Sequence, residues 1–219
     1  NDTVSTLLSG QAATAGREFD TYIGFILGTG TNACYIKDNK NIKKTPNLDL
    51  KGNMIINIET SKFNLMPRTD IHISFDNTTK LPGRYTFEKM IAGGYFGGLC
   101  TTALKMAAAE DVLSAESKVR LKEIGELTSE EVNKFVCGID LPANTLSTVL
   151  VSKEDKEAAI EIINAMITRA AKLTAASLAA VILKTGKAKS ADKPVMMTME
   201  GTTFYKLHNF EIMFESFLQ

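Results

Sequence analysis

This sequence has no surplus of charge of either sign: among its 219 residues, 25 lysines and arginines balance 25 aspartates and glutamates. A balanced chain offers no basic field to gather nucleic acid and no polybasic strip for an anionic membrane surface, so its partners have to be argued from sites. Cysteines are scarce, with Cys34, Cys100 and Cys137 far apart and none in C-x-x-C spacing. They predict neither a disulfide framework nor a zinc site, and fit buried free thiols in a reduced, cytoplasmic compartment. His72 and His208 are the only histidines, so no His-ligated metal site is expected within the chain. No apolar run reaches the roughly 18 residues that span a bilayer; the nearest, Leu173 to Leu183, is broken by Thr174 and Ser177. Asn1 is followed by neither a charged segment nor an apolar one, and the start is read as a cut edge rather than a native start or a signal peptide. There is no internal repeat and no low-complexity tract.

The apolar residues that are present fall into short strands and longer helices. Tyr22 to Leu27 stop at Gly28-Thr29-Gly30, and alternating side chains resume from Asn32 to Lys37 before Asp38-Asn39-Lys40-Asn41. That pattern predicts a strand, a glycine turn, a second strand and a hairpin loop. Met54 to Ile58 predict a short buried strand ending on Glu59, and the Asp-, Asn- and Thr-rich stretch from there to Pro82 predicts a long surface loop holding one helical turn. Phe87, Met90, Ile91, Tyr95, Leu99 and Leu104 recur at helical spacing, predicting helix from Tyr85 to about Leu113 with breaks at Gly93-Gly94 and Gly97-Gly98. Helices follow over Ser117 to Ile124, Ser129 to Cys137 and Lys153 to Lys184. Thr128 suits the N-cap of the second, ahead of Glu130 and Glu131, and Gly186 suits the C-cap of the third. A charged loop from Lys184 to Lys193, a strand from Val195 to Met199, a turn at Gly201-Thr202-Thr203 and a helix from Phe210 to Leu218 complete a mixed α/β layer fold.

Two turns and three acids carry the chemistry. In Gly28-Thr29-Gly30-Thr31-Asn32, backbone N–H groups and small hydroxyls face outward without side-chain bulk, which fits a phosphate cradle and equally a plain hairpin. No helix follows and no third glycine is in register, so it is not the dinucleotide fingerprint; without Gly-Lys-Ser/Thr it is not a Walker loop. Glu200-Gly201-Thr202-Thr203 forms a second turn, so the pair is placed to clamp one nucleotide from two sides; a strand end with a capping Thr is the other reading. Asp2, Glu59 at a strand end and Glu88 in a first helical turn sit where carboxylates point into clefts. Sugar recognition needs such acceptors, because each hydroxyl both donates and accepts, and phosphoryl transfer from a hydroxyl needs one carboxylate as base. Taken singly, Glu88 could equally favour the helix dipole and Glu59 could be a solvated strand end.

Taken in order, five segments resemble the hexokinase family in sequence and spacing. They are Asn1-Asp2-Thr3-Val4; Gly28-Thr29-Gly30-Thr31-Asn32-Ala33-Cys34-Tyr35; Ile56-Asn57-Ile58-Glu59; Pro82-Gly83 with Phe87-Glu88-Lys89-Met90 and Gly93-x-Tyr95-x-Gly97; and Gly201-Thr202 with Tyr205-Lys206-Leu207-His208. The resemblance runs along nearly the whole chain and is strongest from Asn1 to Gly98. It implies an actin-like ATPase (ribonuclease H-like) α/β fold, a mixed sheet flanked by helices, with residues 1–219 as the large domain of a longer chain whose small N-terminal domain is absent. It implies ATP-dependent phosphorylation of a hexose, glucose or similar, at the 6-hydroxyl, with ATP and Mg2+ as cofactors. Asp2 would be the base, and Asn1, Asn32, Glu59 and Glu88 would hydrogen-bond the sugar. Gly28, Thr29, Gly30 and Thr31 would contact the ATP phosphates, while Gly93, Gly94, Thr128, Ser129, Gly201 and Thr202 would line the nucleotide pocket. The expected partners are the hexose and the small domain, with neither nucleic acid nor membrane.

Departures from the family pattern lie around the sugar. Thr60-Ser61-Lys62-Phe63 stands where the family has Trp-Gly-Ala-Phe, so Lys62 brings a charge. Tyr85 occupies a position where the family often has a polar sugar ligand, Glu200 stands where Asp is usual, and Gly201 to Lys206 is one residue longer than common. The family's first phosphate loop and its sugar-binding lysine and threonine precede the Asn-Asp strip and are not in this chain, which is expected to be inactive alone. The alternative is a catalytically silent sugar- and nucleotide-binding sensor or scaffold. An acetate or glycerol kinase relative would leave the Glu59 and Glu88 pair unexplained.

Overall fold

The computed structural model describes residues 1–218 and opens on a helix, α1 (Asp2–Ala13). Asn1 is its N-cap, accepting the Thr3 N–H at 3.0 Å, which satisfies one of the free donors of the first turn. The face it buries has one large apolar residue, Leu7, among the smaller Thr3, Thr6 and Gly10, so no stripe of large apolar side chains announces it. Small residues let the helix lie close on the sheet: a Cβ on Gly24 would stand 2.6 Å from the Thr3 carbonyl.

The sheet has four strands. β1 (Thr21–Leu27), β2 (Thr31–Asp38) and β3 (Asn53–Asn57) form an antiparallel meander, and β4 (Val195–Glu200) joins β1 in parallel, giving the order β3-β2-β1-β4. Leu27 pairs with Thr31 across the first glycine turn, and Ile26 pairs with Glu200. Both glycine turns therefore leave the sheet at the same end. Alternation then sorts the faces: Ile23, Phe25, Leu27, Ala33 and Tyr35 point into the main core, while Gly24 and Cys34 lie under α1.

The other face is covered by helices: α2 (Asp70–Thr78), α3 (Thr86–Ile91), α4 (Gly93–Ala109), α5 (Ala115–Glu123), α6 (Ser129–Val136), α7 (Thr145–Val149) and α8 (Lys153–Thr185), with α9 (Thr202–Lys206) and α10 (Phe210–Leu218) after β4. α8, at 33 residues, is long and apolar enough by composition to cross a membrane. Here it packs inside the protein, burying Ile163, Ile167, Ala170, Ala171, Thr174 and Leu178 against α4 and α10. It stops at Gly186, whose φ of 69° makes the left-handed C-cap that glycine adopts at no steric cost.

Four sequence-based expectations are corrected. β3 is not a buried strand: Asn53 and Met54 are exposed and the rest is half-buried, because it is an edge with a neighbour on one side only. The stretch from Glu59 to Pro82 is not one loop; it holds a 3-10 turn at Thr60–Lys62 and the nine-residue α2. α2 escaped the apolar pattern because two of its three buried residues, His72 and Asp76, are polar. The turn after Gly201 continues into the short helix α9. Cys34 and Cys100 are buried thiols, but Cys137, which caps α6, is exposed.

Candidate active site at the two glycine turns

The turns meet through the N-terminal end of α4. Gly28 N–H donates to the Gly30 carbonyl at 3.0 Å, closing the first turn, and the carbonyls of Gly28 and Thr29 accept the N–H groups of Gly93 and Gly94 at 2.8 and 2.9 Å. Thr203 Oγ1 donates to the same Gly28 carbonyl at 2.9 Å. Gly201, at φ 116°, sits so close that a Cβ would stand 2.8 Å from the Gly28 nitrogen; only glycine allows this approach. Ser129, at the start of α6, donates to the Gly93 carbonyl at 2.5 Å and accepts Gly97 N–H at 2.9 Å. Gly28, Thr29, Gly93, Gly94, Gly97, Ser129 and Thr203 are thereby joined in one hydrogen-bonded set, with Gly201 packed against it.

This set fits a phosphate. The N–H groups of Thr29 and Gly30 have no backbone partner among the described residues, and the N-termini of α4 and α6 converge on the turns, adding positive partial charge. Thr202 is exposed at the first position of α9; Thr128 is exposed too, its hydroxyl engaged with Glu131 in the α6 capping box. Thr31 is different: its hydroxyl donates to the Ile26 carbonyl and its N–H to Glu88 Oε2, both at 3.0 Å. Its donors are spent inside the fold, and they hold Glu88 against the first turn. Among the described residues no group of three or more His, Cys, Asp or Glu is arranged to hold a bare metal ion.

The second half of the site lies on the α1 face of the sheet. α1 crosses that face from β2, where Cys34 Sγ donates to the Thr3 carbonyl at 3.2 Å, to β4, where Thr6 Oγ1 donates to Glu200 Oε2 at 2.7 Å. Asp2, exposed in its first turn beside Thr3, has no side-chain hydrogen bond to its carboxylate among the described residues. Asn32 and Cys34 point to this face, and Asn57 lies opposite Cys34. Asn32 Nδ2 donates to Asn57 Oδ1 at 2.6 Å, and Asn57 Nδ2 donates to Glu59 Oε1 at 2.7 Å. Asn32 Oδ1 accepts the Thr60 N–H at 3.2 Å.

Glu59 and Tyr85 adopt left-handed backbone angles, φ 59° and 55°. Such strain at non-glycine residues costs of order 1 kcal/mol and gathers at functional sites. Lys62 places its ammonium 3.1 Å from Glu59 Oε2. The hydrogen bond from Lys62, then that from Asn57, holds the Glu59 carboxyl below the usual range.

The structure thus links Asn32 through Asn57 to Glu59 and Glu88 to Thr31, and puts Asn1 and Asp2 at the start of α1, next to the Thr3 carbonyl that meets Cys34 of β2. Two contributors escaped the sequence reading. Asn57 had a signal, since a residue two before Glu59 on a strand shares its face; nothing in the sequence showed that Thr203, rather than Thr202, turns inward.

The sequence profile described as Hexokinase matches residues 22–219. Among curated proteins, the chain is 28% identical over 221 residues to "Hexokinase-like 1 protein" of Arabidopsis thaliana, covering 94% of this chain and 43% of that protein. It is 31% identical over 225 residues to "Hexokinase-3" of Homo sapiens, covering 95% of this chain and 23% of that one. The chain therefore spans less than half the length of these relatives. Its fold matches a hexokinase from Schistosoma mansoni complexed with glucose at a TM-score of 0.81, with 22% identity, over 100% of this chain and 50% of that one.

Proposed function

This chain belongs to the hexokinase family, and from that premise we propose that the protein it forms transfers a phosphoryl group from ATP to the 6-hydroxyl of a hexose. One observation carries the reading: the two glycine turns meet at Gly28 and Gly201, at the end of a sheet whose α1 face holds Asp2, Asn32 and Glu59. Bound ATP, with Mg2+ on its phosphates, supplies the phosphoryl group. The Thr29 and Gly30 N–H groups and the positive ends of α4 and α6 receive phosphate oxygens, with Gly93, Gly94 and Gly201 letting the two turns and α4 pack closely enough to form the cradle. Asn1, Asn32, Glu59 and Glu88 hydrogen-bond the sugar hydroxyls and orient the reacting one. Asp2 takes the proton of the 6-hydroxyl as its oxygen bonds to the terminal phosphorus of ATP and the bond from that phosphorus to the bridging oxygen breaks, ADP leaving. Thr31 serves by fixing Glu88 rather than by offering its hydroxyl.

We take residues 1–219 as the large domain of a longer cytoplasmic protein, in keeping with the share of its relatives that they span. A small domain closing over the sugar would exclude water, so that ATP is not hydrolysed instead, and the chain alone is inactive. The test is glucose-dependent ADP formation by the full-length protein. Asp2→Asn lowers kcat by about 10²–10⁴-fold, the range for loss of a general base, while calorimetry still detects glucose binding; an unchanged rate refutes Asp2 as the base. The Lys62–Glu59 contact favours one second reading, a sensor that binds hexose without turnover. Hexose binding by a full-length protein that forms no ADP selects it.

A further inference from the structure

In the sugar half of the site, the Glu59 carboxylate already has a partner on each oxygen. Oε1 accepts from Asn57 at 2.7 Å, and Oε2 lies 3.1 Å from the Lys62 ammonium. Lys62 is held there by the backbone, as the last residue of the 3-10 turn that Glu59 begins, with its N–H donating to the Glu59 carbonyl at 3.0 Å. The Asn57 end is fixed in turn by Asn32 at 2.6 Å. The ion pair is solvent-facing, with side-chain exposures of 61% for Lys62 and 46% for Glu59. Pairs of that kind are weak and screened by salt, so a ligand can displace one.

Two consequences follow. A hydroxyl that donates to Glu59 competes with an ammonium already in place. A sugar lacking that hydroxyl leaves no acceptor stranded, because Lys62 keeps Oε2 occupied. Strict rejection of a deoxy sugar depends on a protein group being left unpaired, and Lys62 removes that penalty.

Resting on the hexose-kinase reading of this site, we propose that Lys62 is a specificity-determining residue that weakens the site for its best neutral hexose and makes it tolerant of sugars altered at the hydroxyl facing Glu59. The experiment measures kcat and KM of the full-length protein for glucose and its monodeoxy analogues. Lys62→Ala lowers the glucose KM about three- to fivefold, the scale of an exposed ion pair, and leaves kcat unchanged. It also widens the kcat/KM gap between glucose and the most affected deoxy analogue by about tenfold, and Lys62→Arg restores the wild-type pattern. Raising the salt from about 0.05 M to about 0.5 M lowers the glucose KM of the wild type but not of Lys62→Ala. A glucose KM that rises in Lys62→Ala, or an unchanged gap across the panel, overturns the proposal. If Glu59→Gln leaves KM and panel as in the wild type, the placement of Glu59 at the sugar falls instead, an outcome the Lys62 variants do not produce.

Discussion

Lys89 and Asp76 form an ion pair in which both side chains are buried. Lys89 Nζ donates to Asp76 Oδ1 at 2.5 Å and to the Leu81 carbonyl at 2.6 Å, while Asp76 Oδ2 accepts from Arg68 at 3.0 Å and from Gly83 N–H at 2.8 Å. Both residues of the pair are buried. Burial alone would raise the Asp76 carboxyl, but hydrogen bonds from Lys89 and Gly83 outweigh it and hold the group below its usual value. Removing one partner of a buried pair leaves an under-compensated charge, which typically costs about 3–5 kcal/mol. Lys89→Met should therefore lower the urea midpoint strongly, and so should Asp76→Asn, which leaves the buried Lys89 ammonium facing a neutral amide. Glu88 precedes Lys89 on α3, so Lys89→Met should also raise the hexose KM by loosening the Glu88 contact to Thr31. A midpoint within error of the wild type would show that Arg68 and Gly83 alone suffice for Asp76.

At the level of elements, the crossing of α4 over the start of α6 decides how the nucleotide half is built. Gly97 lies so close to the Leu127–Ser129 backbone that a Cβ there would stand 2.6 Å from the Ser129 nitrogen, and the Ser129 hydroxyl bridges Gly93 and Gly97. Ser129→Ala removes the hydroxyl that bridges the Gly93 carbonyl and the Gly97 N–H, at a cost of about 1–3 kcal/mol, and frees the first turn of α4 from α6. The expected result is a lower urea midpoint together with weaker ATP binding by calorimetry; wild-type ATP affinity would mean that α6 only supports the fold. These helices were legible because they carry local signals: Thr128 ahead of Glu131 gave the start of α6, and Gly186 the end of α8. α1 and α2 were not, because each buries a single large apolar residue, Leu7 or Phe75, and the rest of their buried faces is Thr3, Thr6, Gly10, His72 and Asp76. For such helices the packing partner, rather than periodicity, supplies the reason to fold. The site was legible as motifs, but the bridge from Asn32 through Asn57 to Glu59, and the inward use of the Thr31 donors, depend on register and rotamer, which spacing alone does not contain.

Over the whole molecule, α8 is the spine to which distant parts are clamped, and two of its clamps respond to acid in separate windows. Arg169 on α8 donates through Nε to His72 Nε2 at 3.3 Å and through Nη2 to the Pro67 carbonyl at 2.6 Å, tying α2 to α8. Burial, helped by the positive charges of Arg169 and Arg68, depresses His72 from 6.5 to about 4. A depressed histidine is neutral in the folded protein, while the unfolded chain protonates it below pH 6.5. Its contribution is complete above that pH and is lost as pH falls towards 4, about 3 kcal/mol in all. At the start of α8, Asp155 accepts from Ser114 Oγ and N–H and from Ser117 Oγ, at 2.6, 2.7 and 2.7 Å, tying α5 to α8. Burial opposes its charge, but these hydrogen bonds prevail and hold it at about 2 against 3.8. Its contribution is complete above pH 4 and is lost between 3.8 and 2, about 2 kcal/mol. The urea midpoint should therefore fall in two steps, one between pH 7 and 4 and one below pH 4. His72→Gln should flatten the first step and leave the second in place. A wild-type midpoint unchanged between pH 7 and pH 5 would show that His72 is not held neutral, and that the α2–α8 clamp does not depend on its protonation.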